Sequence, residues 1–398
     1  MKNVAILGMG LTKWGKYPDK TIGDLAREAV LAALKDAGLS WEQIQYVVAG
    51  IDPFTGMTGL TAGATYEAGL GYIGVPATSV WNACASGAYA LDVGRNLILS
   101  GLYDLFLCVG SSKAPGGFFP TIGAEDDPNN LDAVRFHILG QTNPSNFAFR
   151  ATRRMHNYGM TETDIARVKV KNSRHGKLNP YARYSKEYSL DEVLASPLVA
   201  YPLRLLEIAA TSDGAAAIIL CNLKKAKQFT AKPVQLVSVY GPQPKYPNMN
   251  YSPVASQSQV STEATPKGEE LVHQCQVIRG ALERAGVDPK DLSFAEVYDL
   301  SEAMELDWME NIGICKNGEA EKLLREGATT LEGRIPINPS GGVASFGEAV
   351  PAQALLQACE LVTQLRGAAG PRQVKKAKVG LAVNQGLADS VSCMIMVK

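Results

Sequence analysis

The sequence predicts an α/β protein built from two similar halves, and three observations predict it. Short apolar runs of strand character alternate with amphipathic runs of helix character along most of the chain, as in sheets covered on both faces. AALKDAGLSWEQI (32–44) resembles GALERAGVDPKDL (280–292), a repeat at an offset of 248 residues that implies two α/β domains of one kind. From about Lys113 to Pro197 the alternation stops, and the chain turns rich in Gly, Pro, Asn and charge, which reads as an insertion.

Taken in order, Val4–Gly8 (VAILG) is a short buried strand. Thr21 opens a helix with Asp24 three residues on, close to a capping box, and Gly38 stops it. Leu25, Ala29, Leu31, Ala32 and Leu34 recur at roughly helical spacing. Ile44–Val48 is the next strand, followed by a Gly/Thr-rich loop and a helix near Gly59–Ala68. Ala77–Trp81 is a strand that runs into NACASG, then a helix from about Ala85 to Ser100 and a strand at Leu105–Gly110. The insertion holds His137, His156 and His175 and two helical stretches, Asn143–Tyr158 and one near Glu162–Ser173. LLEIAATSDGAAAIILCN (205–222) re-enters the first sheet as an apolar strand. In the second half, Ala281, Leu282 and Ala285-Gly286 match Ala33, Leu34 and Ala37-Gly38. There the loop Gly341–Gly347 leads to a helix over about 348–366 and a strand, VGLAVNQG (379–386), as Cys84 leads to helix and strand in the first half. The resulting division is 1–120 completed by 198–228, an inserted segment 121–197, and 229–398.

Composition narrows the function. The 398 residues carry 39 Lys+Arg against 39 Asp+Glu, with 46% hydrophobic residues, which excludes disordered and collagen-like chains. Zero net charge argues against a nucleic-acid surface, because phosphate binding needs clustered cations. The seven cysteines are odd in number and show no C-x-x-C spacing, so neither a zinc site nor a disulfide framework is expected. MKNVAILGMGLTKWG reads as a first strand and not as a signal peptide, and no run of 18 apolar residues suggests a membrane span. The expected compartment is the cytoplasm.

Four constellations carry chemistry. In SVWNACASGAYAL (79–91), Cys84 stands at a sharp strand-to-helix turn among small residues. A helix N-terminus there favours a thiolate and offers N–H groups to an oxyanion; buried packing is the plainer alternative. In INPSGGVASFGEAVPAQALLQ (337–357), Glu348 precedes an apolar helix, as a general base or simply as a first-turn acid. In SFAEVYDLSEAMELDWMENIG (293–313), Tyr298 and Asp299 end a strand, where α/β sheets place ligands and where a tyrosine also packs. In VNQGLADS (383–390), Asn384 and Gly386 form a strand–turn. Outside these, His175 is a substrate contact or a loop cap. Phe118, Phe119, Phe147 and Phe149 line an acyl pocket or pack. Lys171, Arg174 and Lys177 meet coenzyme phosphates or form a solvated face.

The NACASG turn, the NPSGG segment and the EVYD strand resemble the thiolase superfamily, and more narrowly its sterol-carrier-protein type. HGKLNPYAR (175–183), VAYPLRLLEIAATSDGAAAII (199–219) and QLRGAAGPRQV (364–374) add to the resemblance, which covers essentially the whole chain. It implies the thiolase fold: two similar α/β/α/β/α-type domains in pseudo-twofold arrangement with an inserted loop domain. It also implies a dimer, an acyl-CoA substrate with coenzyme A as co-substrate, and no tightly bound cofactor or metal. Cys84 falls on the family's acylated nucleophile, and Gly386 on a turn whose N–H shares an oxyanion hole with that of Cys84. Where the family has Gly-His-Pro, this chain has Gly347-Glu348-Ala349. Where sterol-carrier-type thiolases have His-Asp-Cys-Phe, it has Tyr298-Asp299-Leu300-Ser301, so a histidine is replaced by Tyr298 and the acid/base cysteine is gone. The YD pair and QLRGAAGPRQV resemble a subgroup that works with a small zinc-ribbon/OB-fold subunit.

Three functions follow as expectations. One is thiolysis of a 3-oxoacyl-CoA, bulky or aromatic as in benzoylsuccinyl-CoA, through acyl-Cys84 with Glu348 as base and Tyr298 holding an oxygen. Another is retro-aldol cleavage of a 3-hydroxyacyl-CoA side chain, which needs no sulfur nucleophile. The last is a silent subunit that only binds acyl-CoA.

Overall fold

A computed structural model describes residues 4–52, 62–114, 116–117, 142–229, 232–243, 273–386 and 390–398. The first half runs β1 (Val4–Leu11), α1 (Ile22–Ala37), β2 (Tyr46–Gly50), α2 (Ala62–Leu70), β3 (Ala77–Val80), α3 (Ser86–Ser100) and β4 (Leu105–Lys113). Then come α4 (Asn143–Tyr158), α5 (Glu162–Lys177), a hairpin of β5 (Leu198–Ala200) and β6 (Leu203–Arg204), and the returning strand β7 (Asp213–Asn222). The second half runs β8 (Val234–Tyr240), α6 (His273–Ala285), β9 (Phe294–Glu296), α7 (Glu302–Ile312), α8 (Gln353–Arg366), β10 (Val379–Gln385) and β11 (Val391–Val397).

These strands form one nine-stranded mixed sheet in the order β3-β2-β4-β7-β1-β8-β11-β10-β9. β2 runs parallel to β3 and β4, while β7 is antiparallel to both β4 and β1. The two halves correspond strand by strand outward from the β1–β8 seam, where only Val4, Ala5 and Ile6 pair with Leu236, Gln235 and Val234. The repeat seen in the sequence is the helix–strand unit of each half. Both α1 and α6 stop at a glycine in the left-handed region, Gly38 and Gly286, each with φ 66°, which a side chain disfavours. The Thr21 capping box forms in full, with Asp24 N–H donating to Thr21 Oγ1 at 3.1 Å and Thr21 N–H to Asp24 Oδ2 at 2.8 Å.

Burial on both sheet faces explains why β7 and β11 are apolar along most of their length. Along β7, Ala215, Ala217, Ile219 and Cys221 pack under α1, while Ala216, Ile218 and Leu220 face α3 and α8. Along β11, Met394 and Met396 face that same middle layer, and Val391, Cys393 and Ile395 face α6 and α7. The order of layers is therefore helix, sheet, helix, sheet, helix, with α3 and α8 packed between the two halves. α4 and α5 join the outermost core through Phe147, Ile165 and Val168. Among the described residues no helix is long and apolar enough to cross a membrane.

Candidate active site

Cys84 lies where β3 has ended and α3 is about to begin. Ala83 before it takes φ 47°, an uncommon conformation for a residue with a side chain. Ser86 fixes the turn: its hydroxyl accepts from Asn82 N–H at 2.9 Å and donates to Ala83 O at 2.6 Å. Gly386 presses on the same turn, since a Cβ there would come within 2.3 Å of Asn82 O.

Tyr298 comes from just beyond the C-terminal end of β9 and is 5% exposed. Its carbonyl accepts from Trp308 Nε1 at 2.8 Å, and its phenol and the Cys84 thiol lie close enough to shift each other's acidity. Glu348 is placed by its backbone. Its N–H donates to Ala210 O at 2.8 Å and its O accepts from Ser212 N–H at 2.7 Å. Gly347, at φ 88°, leaves room for Ala210 and Ser212 to pass. The Glu348 side chain is 2% exposed, and its Oε2 has no hydrogen-bond partner among the described residues. The structure thus sets the Cys84 thiol within electrostatic reach of both Tyr298 and Glu348.

The electrostatics differ from the sequence expectation. The helix end does not make Cys84 acidic. At 9% exposure, burial first and then the adjacent Glu348 push the thiol up to about 12, against smaller opposing contributions from Tyr298, Gln353 and its own N–H. Burial alone pushes the Glu348 carboxyl up to about 8. The Tyr298 phenol is driven well above its ordinary value, chiefly by burial and then by Cys84 and Glu348, so it stays neutral.

The other expected residues divide. Asn384 is buried; its Nδ2 donates to Gln357 Oε1 at 2.9 Å, and its Oδ1 is unpartnered among the described residues. Gly386 N–H donates to Ser390 O at 2.8 Å, so this donor is engaged within its own loop instead of open to an oxyanion. His175 belongs to a separate buried network: it is 3% exposed, bonds Asn338 O through Nδ1 at 2.9 Å, and is lowered to about 3 by burial and then by Lys171. Together with Asn179, which donates to Ser340 O at 3.0 Å, it clamps the Asn338–Ser345 loop. Of the basic cluster, only Arg174 and Lys177 lie outside, paired with Glu187; Lys171 is buried on Glu305 and Ile337 O. Phe147 packs in the same apolar cluster as Cys84 and Tyr298, Phe149 is exposed, and Phe118 and Phe119 lie outside the described residues.

Two residues of this neighbourhood escape the sequence reading. Gln353 and Gln357 sit one helical turn apart on α8, both buried. Glutamines recurring on an otherwise apolar helix face were the available signal.

A thiol at a strand–helix turn, a neutral phenol and a buried carboxyl of raised affinity for protons are the kinds of group that covalent acyl chemistry uses. The chain matches the Thiolase, N-terminal domain family over residues 4–224 and the Thiolase C-terminal domain-like family over 259–398. It belongs to the thiolase family of acyltransferases. It is 32% identical over 393 residues to an acetyl-CoA acetyltransferase of Methanothermobacter thermautotrophicus, covering 97% of each chain. It is 33% identical over 400 residues to sterol carrier protein 2 of Bos taurus, covering 98% of this chain and 71% of that one. Among solved structures, the fold resembles an Ltp2-ChsH2(DUF35) aldolase, with TM-score 0.80, 22% identity and coverage of 99% and 97%. It also resembles human mitochondrial 3-ketoacyl-CoA thiolase in complex with CoA, with TM-score 0.72, 15% identity and coverage of 100% and 98%.

Proposed function

We propose that this protein cleaves a 3-oxoacyl-CoA with coenzyme A through an acyl-Cys84 intermediate. The observation that carries the reading is a buried cysteine at the β3–α3 turn whose thiol is under the influence of both the Tyr298 phenol and the Glu348 carboxyl. Glu348 takes the thiol proton, and the sulfur attacks the 3-keto carbon. The Cα–Cβ bond breaks, and the enolate of the shortened acyl-CoA recovers the proton. Incoming coenzyme A, deprotonated by the same carboxylate, releases the acyl group. Tyr298, neutral beside the thiol, serves as a donor to a substrate oxygen. An aromatic or bulky acyl part, such as that of benzoylsuccinyl-CoA, suits the apolar cluster that Phe147 shares with Cys84.

Intact-protein mass after incubation with acetoacetyl-CoA tests this directly. An acyl adduct is expected on Cys84 and none on Cys84→Ser; full thiolysis by Cys84→Ser would end the nucleophile assignment.

A second reading, retro-aldol cleavage of a 3-hydroxyacyl-CoA, is favoured by Tyr298-Asp299-Leu300-Ser301, which lacks the acid/base cysteine. It predicts cleavage of a 3-hydroxyacyl-CoA without free coenzyme A and no adduct on Cys84. Under either reading we propose a homodimer that works in the cytoplasm with a small zinc-ribbon/OB-fold subunit. The support is the resemblance of the YD pair and the 364–374 segment, and the test is co-purification of the native complex.

A further inference from the structure

We infer that Gln353 is an oxygen-binding residue of this site, its Nε2–H donating to the carbonyl oxygen of the acyl group that Cys84 attacks. The inference rests on the acyl-Cys84 reading above. Gln353 is 0% exposed, yet neither its Nε2 nor its Oε1 has a hydrogen-bond partner among the described residues. A buried carboxamide left unpaired forfeits its hydration with no return, and such groups persist where a ligand completes them. One turn further along α8, Gln357 shows the satisfied state: its Nε2 donates to Val383 O at 3.1 Å and its Oε1 accepts from Asn384.

Position supplies the second argument. Gln353 opens α8 as Ser86 opens α3, and the first turns of the two helices touch. A Cβ on Gly87 would lie 2.9 Å from Pro351 O and 3.0 Å from Leu355 N. Neither helix has a side-chain cap, so two positive helix ends meet beside Cys84. The Gln353 amide already bears on the Cys84 sulfur. The third argument is vacancy of role: the Gly386 N–H that the family resemblance nominates is bonded to Ser390 O at 2.8 Å, which leaves the developing oxyanion in need of another donor.

The step balances as follows. As Glu348 accepts the thiol proton, Sγ bonds to the 3-keto carbon and the carbonyl π pair moves onto oxygen, where Gln353 Nε2–H and the Cys84 N–H receive it. The pair then re-forms C=O, the Cα–Cβ bond breaks, and its electrons leave as the enolate, which Glu348 protonates.

Gln353→Met keeps length and removes the donor; Gln353→Ala is a second variant should the thioether repack. Two rates are read on Cys84 by intact-protein mass: acylation by acetoacetyl-CoA, which develops an oxyanion, and alkylation by iodoacetamide, which does not. Acylation is expected to slow about 10²–10³-fold, while alkylation stays near the wild-type rate. Unchanged acylation in both variants overturns the inference alone, as does an equal fall in alkylation, which would assign Gln353 to the thiol or to the fold. A wild-type protein that forms no adduct removes the acyl-Cys84 reading and the inference with it.

Discussion

At the scale of single residues, Cys84 and Glu348 face each other at neutral pH as two protonated acids, the thiol near 12 and the carboxyl near 8. Reaction begins only when the carboxyl is ionised. The alkylation rate of Cys84 is therefore expected to rise as pH passes through about 8, and Glu348→Gln is expected to lose that step. Superimposable pH profiles would remove Glu348 as the base. Stability carries the opposite sign. A carboxyl whose folded-state affinity for protons is raised favours folding while it stays protonated, and that contribution is lost as pH climbs from the ordinary carboxylate range towards 8. Glu348→Gln should then stabilise the fold at pH 8 more than at pH 5, by on the order of 3 kcal/mol in denaturant unfolding. Cys84 and Tyr298 stood out in the sequence because each sits beside an element end that local pattern marks, before α3 and after β9, whereas Glu348 stood out only by replacing the histidine of the family's Gly-His-Pro. Their acidities did not, because burial comes from residues distant in sequence. The sequence left His175 open between a substrate contact and a loop cap for the same reason: nothing local reveals that Asn338 O will meet its ring.

At the scale of elements, the Asn338–Glu348 loop and the strand end bearing Tyr298 are built as one piece. Asp299 is wholly buried, with Oδ1 accepting from Val343 N–H at 2.7 Å. Gly342 passes over that carboxyl at φ 71°, and a Cβ on it would stand 1.9 Å from Asp299 Oδ2. Gly342→Ala should therefore cost more than about 3 kcal/mol by denaturant titration, since clash and left-handed strain add. It should lower acylation of Cys84 as well, because the loop carries Glu348. An unaltered midpoint would show that the loop relaxes freely. The insertion's two helices were legible as helical stretches, and Asn143–Tyr158 forms as read. The start of α8 was not: expected near 348, it begins at Gln353, because Glu348 is held by Ala210 and Ser212 in extended backbone. No propensity encodes that tertiary pairing.

At the scale of the whole molecule, buried cations bolt the insertion to the second half, among them Lys169 on Glu302, Lys171 on Glu305 and Arg154. Arg154 of α4 meets Asp307 at 2.8 Å, Glu321 at 2.7 Å and Glu310, with its side chain 2% exposed. Arg154→Met strands these acids and is expected to cost about 3–5 kcal/mol in equilibrium unfolding, whereas exposed pairs such as Lys186–Glu192 are worth roughly 0–1 kcal/mol. The two-half plan was legible because duplication leaves a repeat. The use of QLRGAAGPRQV was not. Arg366 reaches Asp36 and Leu7 O, and Gln364 binds Arg372 O and Val374 N–H, so these motif residues tie α8 to the first half and to the loop that follows it.

The seam between β1 and β8 is only three residues wide on each side, yet all that α3 and α8 bury lies across it. Severed between residues 228 and 229, each fragment would present a raw strand edge and a bare apolar layer to water. Neither piece should stay dispersed alone, and the two made together should find each other and rebuild the intact enzyme, a split-protein pair whose recovered activity reports on their meeting.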